Sequence, residues 1–153
     1  MKFLVVLSAL ASLAAAQMAV IRAPPAQSTF APGEQFIVDV DRPDTLTGSQ
    51  EVSVAIGLLS CAGRAPPGTC DGIDFTEQIG TALYAGPYAP QLRPGGSDLF
   101  ENFTVTVPEG FPSGAAEVVV AHFSLVGVSL NRFPDMKWLL IVILYAGSQL
   151  AHA

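Results

Sequence analysis

The chain has 153 residues, with 7 lysines and arginines against 13 aspartates and glutamates, and a formal net charge of -6 at pH 7. This acidic balance argues against binding to nucleic acid or to anionic lipid, because both attract basic surfaces. The 14 glycines and 12 prolines fall between apolar runs, and that punctuation favours many short strands over helices.

The first 16 residues have the pattern of a secretory signal peptide. Lys2 precedes an apolar stretch over residues 3–13, and small residues at 14–16 form a cleavage site before Gln17. The apolar stretch is too short to span a bilayer. We therefore expect a secreted, extracellular protein without a membrane span, with one domain over residues 17–127.

Apolar and polar residues alternate along several short segments that turns separate. Strands are predicted over residues 17–22, 35–40, 50–58, 77–85, 102–107 and 115–125. Segment 50–58 has the cleanest alternation, which places Val52 and Val54 on one face and Glu51 on the other. The last segment is apolar on both faces, as in a strand covered on two sides. The pattern predicts an all-β, immunoglobulin-like β-sandwich.

Two short motifs carry covalent chemistry. Cys61 and Cys70 are the two cysteines of the chain, and an even count in a secreted protein indicates a disulfide. A metal site would need further thiols or a clustered histidine. Asn102-Phe103-Thr104 is an N-glycosylation sequon. In a strand Asn102 and Thr104 point outward while Phe103 points inward, so we expect modification at Asn102.

The residues form no convincing catalytic or metal-binding constellation, and no cofactor is expected. His122 lies in an apolar run and is interpreted as a hydrogen-bonded strand residue. Asp71, Asp74 and Glu77 follow Cys70 and are interpreted as a solvated acidic loop. A carboxylate pair serving a glycosidase is the alternative for this cluster. The cluster offers too few alternating oxygen ligands for calcium.

Loops presented by a rigid sandwich are the expected place for partner binding. Arg64 lies in the disulfide loop, and residues 84–93 contain Tyr84, Tyr88 and Arg93. Tyrosine and arginine are enriched in interface hot spots. We expect these four side chains to contact a protein partner, with packing beneath the loop as the alternative for the tyrosines.

Several short segments share their order and spacing with a known family. They are Ala31-Pro32-Gly33 before residues 35–40, Gly48-Ser49-Gln50-Glu51-Val52, Leu83-Tyr84-Ala85-Gly86-Pro87, NFTVTVP at residues 102–108 and AHFSLVG at residues 121–127. The chain resembles the necrosis-inducing secreted (Nis-type) effectors of plant-associated fungi over residues 17–127. The resemblance implies a small non-enzymatic protein that enters the host cytoplasm and binds immune-receptor-associated kinases, which suppresses pattern-triggered immunity. It assigns no partner-contacting residue.

Two other functions remain open at this point: a surface-attached structural or adhesion module, and a hydrolase of wall polymers. The first depends on the tail at residues 128–153, which departs from the family pattern and has an apolar run at 138–147. Three hypotheses explain the tail. It is a translated intron, since Val128-Ser129 can be encoded by the splice-donor sequence GTAAGT. It is a glycosylphosphatidylinositol signal with a spacer through Lys137. Or it contains a buried last strand over residues 139–145.

Overall fold

The computed structural model describes residues 19–44, 48–126 and 140–150, the last range as backbone only. The predicted leader at 1–16 and residues 127–139 lie outside the described residues. Among the described residues, no helix is long and apolar enough to cross a membrane.

The described part of the chain consists of strands, turns and loops. Its strands are β1 (Val20–Ala23), β2 (Gln35–Arg42), β3 (Ser49–Ser60), β4 (Thr81–Pro87), β5 (Gln91–Leu92), β6 (Leu99–Thr106), β7 (Ala116–Val126) and β8 (Leu140–Leu150). Sheet 1 has the order β1-β2-β6-β5 and sheet 2 the order β4-β3-β7-β8. This order is that of an immunoglobulin-like sandwich in which β4 is the additional edge strand. The all-β prediction is confirmed.

The core lies between the two sheets and is built from alternate residues of the central strands. Its fully buried members are Val38 and Val40 of β2, Val54, Ile56 and Leu58 of β3, and Val118 and Val120 of β7. Burial of each such aliphatic side chain contributes about 1.5–3 kcal/mol. Sheet 1 adds Phe103 and Val105 from β6, as the alternation of residues 102–107 predicts.

The register of the strands defines two ends of the sandwich. Gln35 pairs with Thr106 in sheet 1, and Ser60 pairs with Ala116 in sheet 2. The connections 24–34, 61–80 and 107–115 therefore share one end, here called the disulfide end. The connections that follow β2, β4 and β5 lie at the opposite end.

A β-bulge at Val52 changes which side chains of β3 face the core. Glu51 pairs with Ser124 and Ser53 pairs with Phe123, so Val52 has no partner of its own on β7. Beyond the bulge the alternation is shifted by one residue. Val52 is 45% exposed, whereas the Glu51 side chain is 9% exposed and faces inward. The prediction that Val52 shares a face with Val54, opposite Glu51, is wrong, because the bulge turns Val52 outward while Val54 is buried.

Other strand limits also differ from the prediction. β4 begins at Thr81 and not at residue 77, because the chain before it crosses closely over sheet 2. A Cβ atom on Gly57 would overlap the carbonyl of Ile79, and one on Gly80 would meet the backbone at Leu58. β1 spans Val20–Ala23, and β5 occupies two residues of a predicted loop.

The strand β8 lies in the tail that departs from the family pattern. It pairs antiparallel with β7 from Ala116–Leu150 to Val126–Leu140. This backbone pairing covers most of residues 139–145, where one of the three hypotheses for the tail places a strand. The apolar sequence of β8 therefore forms an edge of sheet 2 next to β7.

Candidate binding surface

The loop between Cys61 and Cys70 is held at both of its ends. The two Cα atoms are 5.2 Å apart and the sulfur atoms are bonded, a separation usual for disulfides. This geometry is consistent with the predicted pairing. Both cysteines are buried, and the Cys61 backbone N–H donates to Ala115 O at 2.9 Å. The loop is thereby fixed to the start of β7.

Arg64 extends from this loop into solvent. Its Nη1 donates to Gln78 Oε1 at 3.1 Å. The other described arginines, Arg22, Arg42 and Arg93, each form an ion pair, whereas Arg64 forms none with a described acid. Most of its hydrogen-bond donors are therefore available to a partner.

Arg93 forms ion pairs with two aspartates of sheet 1. Its Nη2 atom lies 2.8 Å from Asp39 Oδ1 and 3.3 Å from Asp41 Oδ1. Its guanidinium also lies over the ring of Phe100, 4.1 Å from the centroid. The hydrogen bond to Asp39, with a second to Asp41, raises the pKa of Arg93. Asp41 is fully buried and also binds Arg22. Arg93 therefore stabilises this buried carboxylate, although it remains partly exposed.

Tyr88 lies beneath the loop that follows β4, so the prediction that it is a surface contact is wrong. It is 3% exposed, and its hydroxyl donates to Val40 O at 3.1 Å. Its ring packs edge-on against His122, with centroids 5.2 Å apart. Burial, ahead of the nearby carboxylates, raises the pKa of its hydroxyl. Tyr88 is the first residue of the loop between β4 and β5. Its ring turns inward, where its apolar surface packs in the core.

Tyr84 has a similar, less complete role. Its ring packs on Phe103 with centroids 4.7 Å apart, and its hydroxyl donates to Pro87 O at 2.9 Å. Tyr84 is partly buried against the core. Arg64 lies at the disulfide end and Arg93 at the opposite end, so the predicted contact residues do not form one surface.

A buried polar cluster, missed by sequence reasoning, lies between the sheets at the opposite end. The Glu51 carboxylate contacts His122 Nε2, accepts a hydrogen bond from Ser49 Oγ at 2.6 Å and pairs with Arg42 Nε at 2.9 Å. The bulge at Val52 brings Glu51 into this position. Within the described part, His122 Nδ1 is buried without a hydrogen-bond partner.

The electrostatics of this cluster oppose a role in acid catalysis. Burial raises the pKa of Glu51, but hydrogen bonds with His122 and Ser49, and the charges of His122 and Arg42, outweigh it and lower the pKa overall. A general acid at neutral pH needs a raised pKa. His122 is 1% exposed, so a substrate does not reach its ring. Its side chains link β2, β3 and β7 inside the sandwich.

The acidic loop after Cys70 is solvated in the structure. Asp71 and Asp74 are exposed. Asp74 Oδ1 accepts hydrogen bonds from Thr76 Oγ1 at 2.6 Å and Thr76 N at 2.9 Å. These bonds, the hydroxyl first, lower the pKa of Asp74. No group of three or more histidines, cysteines or carboxylates among the described residues is placed to hold a metal ion.

These features define a small β-sandwich domain with a disulfide-bridged loop that presents an exposed arginine. The model of the Nis1 family matches residues 14–133. The chain therefore belongs to the Nis1 family, which supports an effector-type protein. The match confirms the resemblance found in the sequence and includes the first residues after position 127. No curated protein matches the chain significantly.

Proposed function

We propose that this protein is a secreted effector that suppresses plant pattern-triggered immunity by binding immune-receptor-associated kinases in the host cytoplasm. Membership of the Nis1 family over residues 14–133 is the observation that carries this proposal. The mechanism is occupancy: the effector covers a kinase surface, and no covalent bond is made or broken.

We place the main contact at the disulfide loop, with Arg64 at its centre. The loop is tied by the Cys61–Cys70 bond and by the hydrogen bond to Ala115, so little conformational freedom remains to be lost on binding. Because Arg64 pairs with no acid in the described part of the chain, its planar fork is available for a carboxylate or phosphate of the partner. Arginine is also a frequent hot-spot residue.

The test is a direct binding measurement between the purified protein and the kinase domains of plant receptor-associated kinases. We expect saturable binding to at least one of them. Arg64→Ala should weaken it about tenfold or more, as expected for a hot spot worth about 1.4 kcal/mol. Arg64→Lys should restore only part of the affinity, because lysine lacks the fork.

Arg22→Ala is the matched control. It removes the same charge from a half-exposed arginine on sheet 1, and should leave affinity unchanged once thermal melting shows that the variant is folded. Binding to none of the kinases would reject the proposed function. Equal affinity of wild type and Arg64→Ala would reject the contact site.

Two other outcomes would replace the proposal. Turnover of a wall glycan or ester that is lost on Asp71→Asn or Asp74→Asn would identify a hydrolase. Release of the protein from fungal membranes by phospholipase would identify a surface-attached structural or adhesion module.

A further inference from the structure

Half of sheet 1 is a ribbon of only two strands. β1 pairs with β2 from Asp41 to Asp39, and β5 pairs with β6 only at Leu99 and Phe100. Residues 35–38 therefore pair with residues 103–106, and neither segment has a third described strand beside it. Both outer edges of this ribbon carry backbone donors and acceptors that no described strand pairs with, and such groups can pair with a strand of another chain.

The outer face of the ribbon carries an exposed apolar residue beside the sequon. Ile37 pairs with Thr104, and Asp39 pairs with Asn102, so all four side chains lie on the same face. Ile37 is 50% exposed, and Asn102 and Thr104 are exposed. The Asp39 carboxylate accepts hydrogen bonds from Arg93 Nη2. Ile37 is thus an apolar site at the centre of an otherwise polar face.

The sequon side chains are exposed, so the Asn102 amide is accessible for glycosylation. Within the described part of the chain, neither the Asn102 amide nor the Thr104 hydroxyl makes a hydrogen bond. In N-glycosylation the amide nitrogen attacks C1 of an oligosaccharide carried on a lipid diphosphate. The N–C1 bond forms, the bond from C1 to the phosphate oxygen breaks, the amide loses one proton and the lipid diphosphate leaves.

We propose that Asn102 carries an N-linked glycan whose first sugars lie over Ile37 and cover the two-stranded part of sheet 1. Asn102 and Ile37 are diagonal neighbours across the β2–β6 pair, a separation of about 7–8 Å that one sugar bridges. The C–H face of a sugar packs on an aliphatic side chain, and its hydroxyls remain in water. A bulky glycan here also keeps another strand from the free edge of β6.

The first test is the mass of the full chain secreted from a yeast host. We expect a mass above that of the polypeptide, and its loss on treatment with peptide-N-glycosidase, with Asn102 converted to aspartate. Thr104→Ala should abolish the extra mass, whereas Thr104→Ser, which preserves the sequon at the same position, should retain it. A wild-type mass equal to that of the bare polypeptide would overturn the proposal.

The second test measures what the glycan covers, through binding of an apolar dye and self-association. Thr104→Ala should gain both relative to Thr104→Ser, and adding Ile37→Thr should remove that gain. Adding Leu92→Thr is the control, since Leu92 is 62% exposed but lies outside the ribbon. If Thr104→Ala does not fold, enzymatic removal of the glycan from the folded wild type gives the same comparison. Equal dye binding and association with and without the glycan would overturn the covering role.

Discussion

Replacement of Glu51 by glutamine tests the buried cluster between the sheets. The substitution preserves side-chain volume but removes the negative charge that faces Arg42 and His122. Glutamine also presents an NH₂ group in place of one acceptor oxygen. The Arg42 guanidinium and the His122 ring then lose the carboxylate that they share.

The expected cost follows from the burial of the partners. Removal of one member of a buried ion pair costs about 3–5 kcal/mol. The side chains of Arg42 and Glu51 are 11% and 9% exposed, so some water reaches them and the lower limit applies. We expect Glu51→Gln to lower the free energy of unfolding by about 3 kcal/mol. For a domain of this size the melting temperature should fall by about 10 °C.

The carboxylate should also titrate abnormally. In the folded protein its pKa lies below the ordinary value of 4.5, so the folded state binds the proton more weakly than the unfolded state. The stability from Glu51 is therefore fully present above pH 4.5. It is lost as the pH falls through the lower, folded pKa. NMR titration of the Glu51 carboxyl carbon measures this pKa directly.

The assay for stability is urea unfolding at pH 7, with Glu109→Gln as control. Glu109 is exposed, and its substitution should change the free energy of unfolding by less than about 0.5 kcal/mol. Equal stability of wild type and Glu51→Gln, or a folded pKa of Glu51 at or above its ordinary value, would refute the reasoning.

Three further predictions follow from other parts of the molecule. Tyr88→Ala should lower the free energy of unfolding in urea by about 3–5 kcal/mol, because it leaves a cavity in the core. Tyr88→Phe should lower it by about 1 kcal/mol, because only the hydrogen bond is lost. Equal losses for the two variants would contradict this packing. Gly57→Ala should destabilise by about 1–3 kcal/mol through overlap with the Ile79 carbonyl. Gly48→Ala should melt like wild type, because a Cβ atom there meets no described atom within 4 Å. Similar melting of both variants would argue against the close crossing. Complementary DNA sequenced across the start of the tail should lack codons 128 and 129 if the tail is a translated intron. A continuous transcript would eliminate that hypothesis.

The alternation of β6 was predictable from the sequence because nothing interrupts it. β6 pairs with β2 residue by residue without a register shift. A period of two therefore assigns Phe103 and Val105 to the core and Asn102 and Thr104 to solvent. The structure has these four residues as predicted. Local pattern is sufficient where the pairing is regular.

The buried cluster was not predictable in the same way. The bulge at Val52 is set by the pairing of β3 with β7, a contact between residues about seventy positions apart in sequence. Alternation alone therefore gave Glu51 the wrong face. The one usable signal was a histidine in the apolar run of β7, since a buried polar ring needs a polar partner.

The placement of the candidate binding residues also needed the tertiary structure. Tyr88 follows β4 directly, and tyrosine is a residue type that occurs both at interfaces and in cores. Its burial and the hydrogen bond from its hydroxyl to the Val40 carbonyl identify it as a core residue. The contacts of Arg93 were also not predictable from local sequence, because the aspartates that it binds lie on β2, more than fifty residues earlier. Arg64 remains exposed because its loop folds as a local unit closed by the disulfide.

The two proposals assign separate surfaces to separate occupants: the disulfide loop to a kinase, and the two-stranded part of sheet 1 to a glycan. Hydrogen exchange of the secreted protein, measured alone and with a bound plant receptor-associated kinase, tests this division most directly. The account predicts new protection within residues 61–80 and no change within residues 35–38 and 102–106. Protection of those sheet 1 residues, with none in the loop, would contradict it.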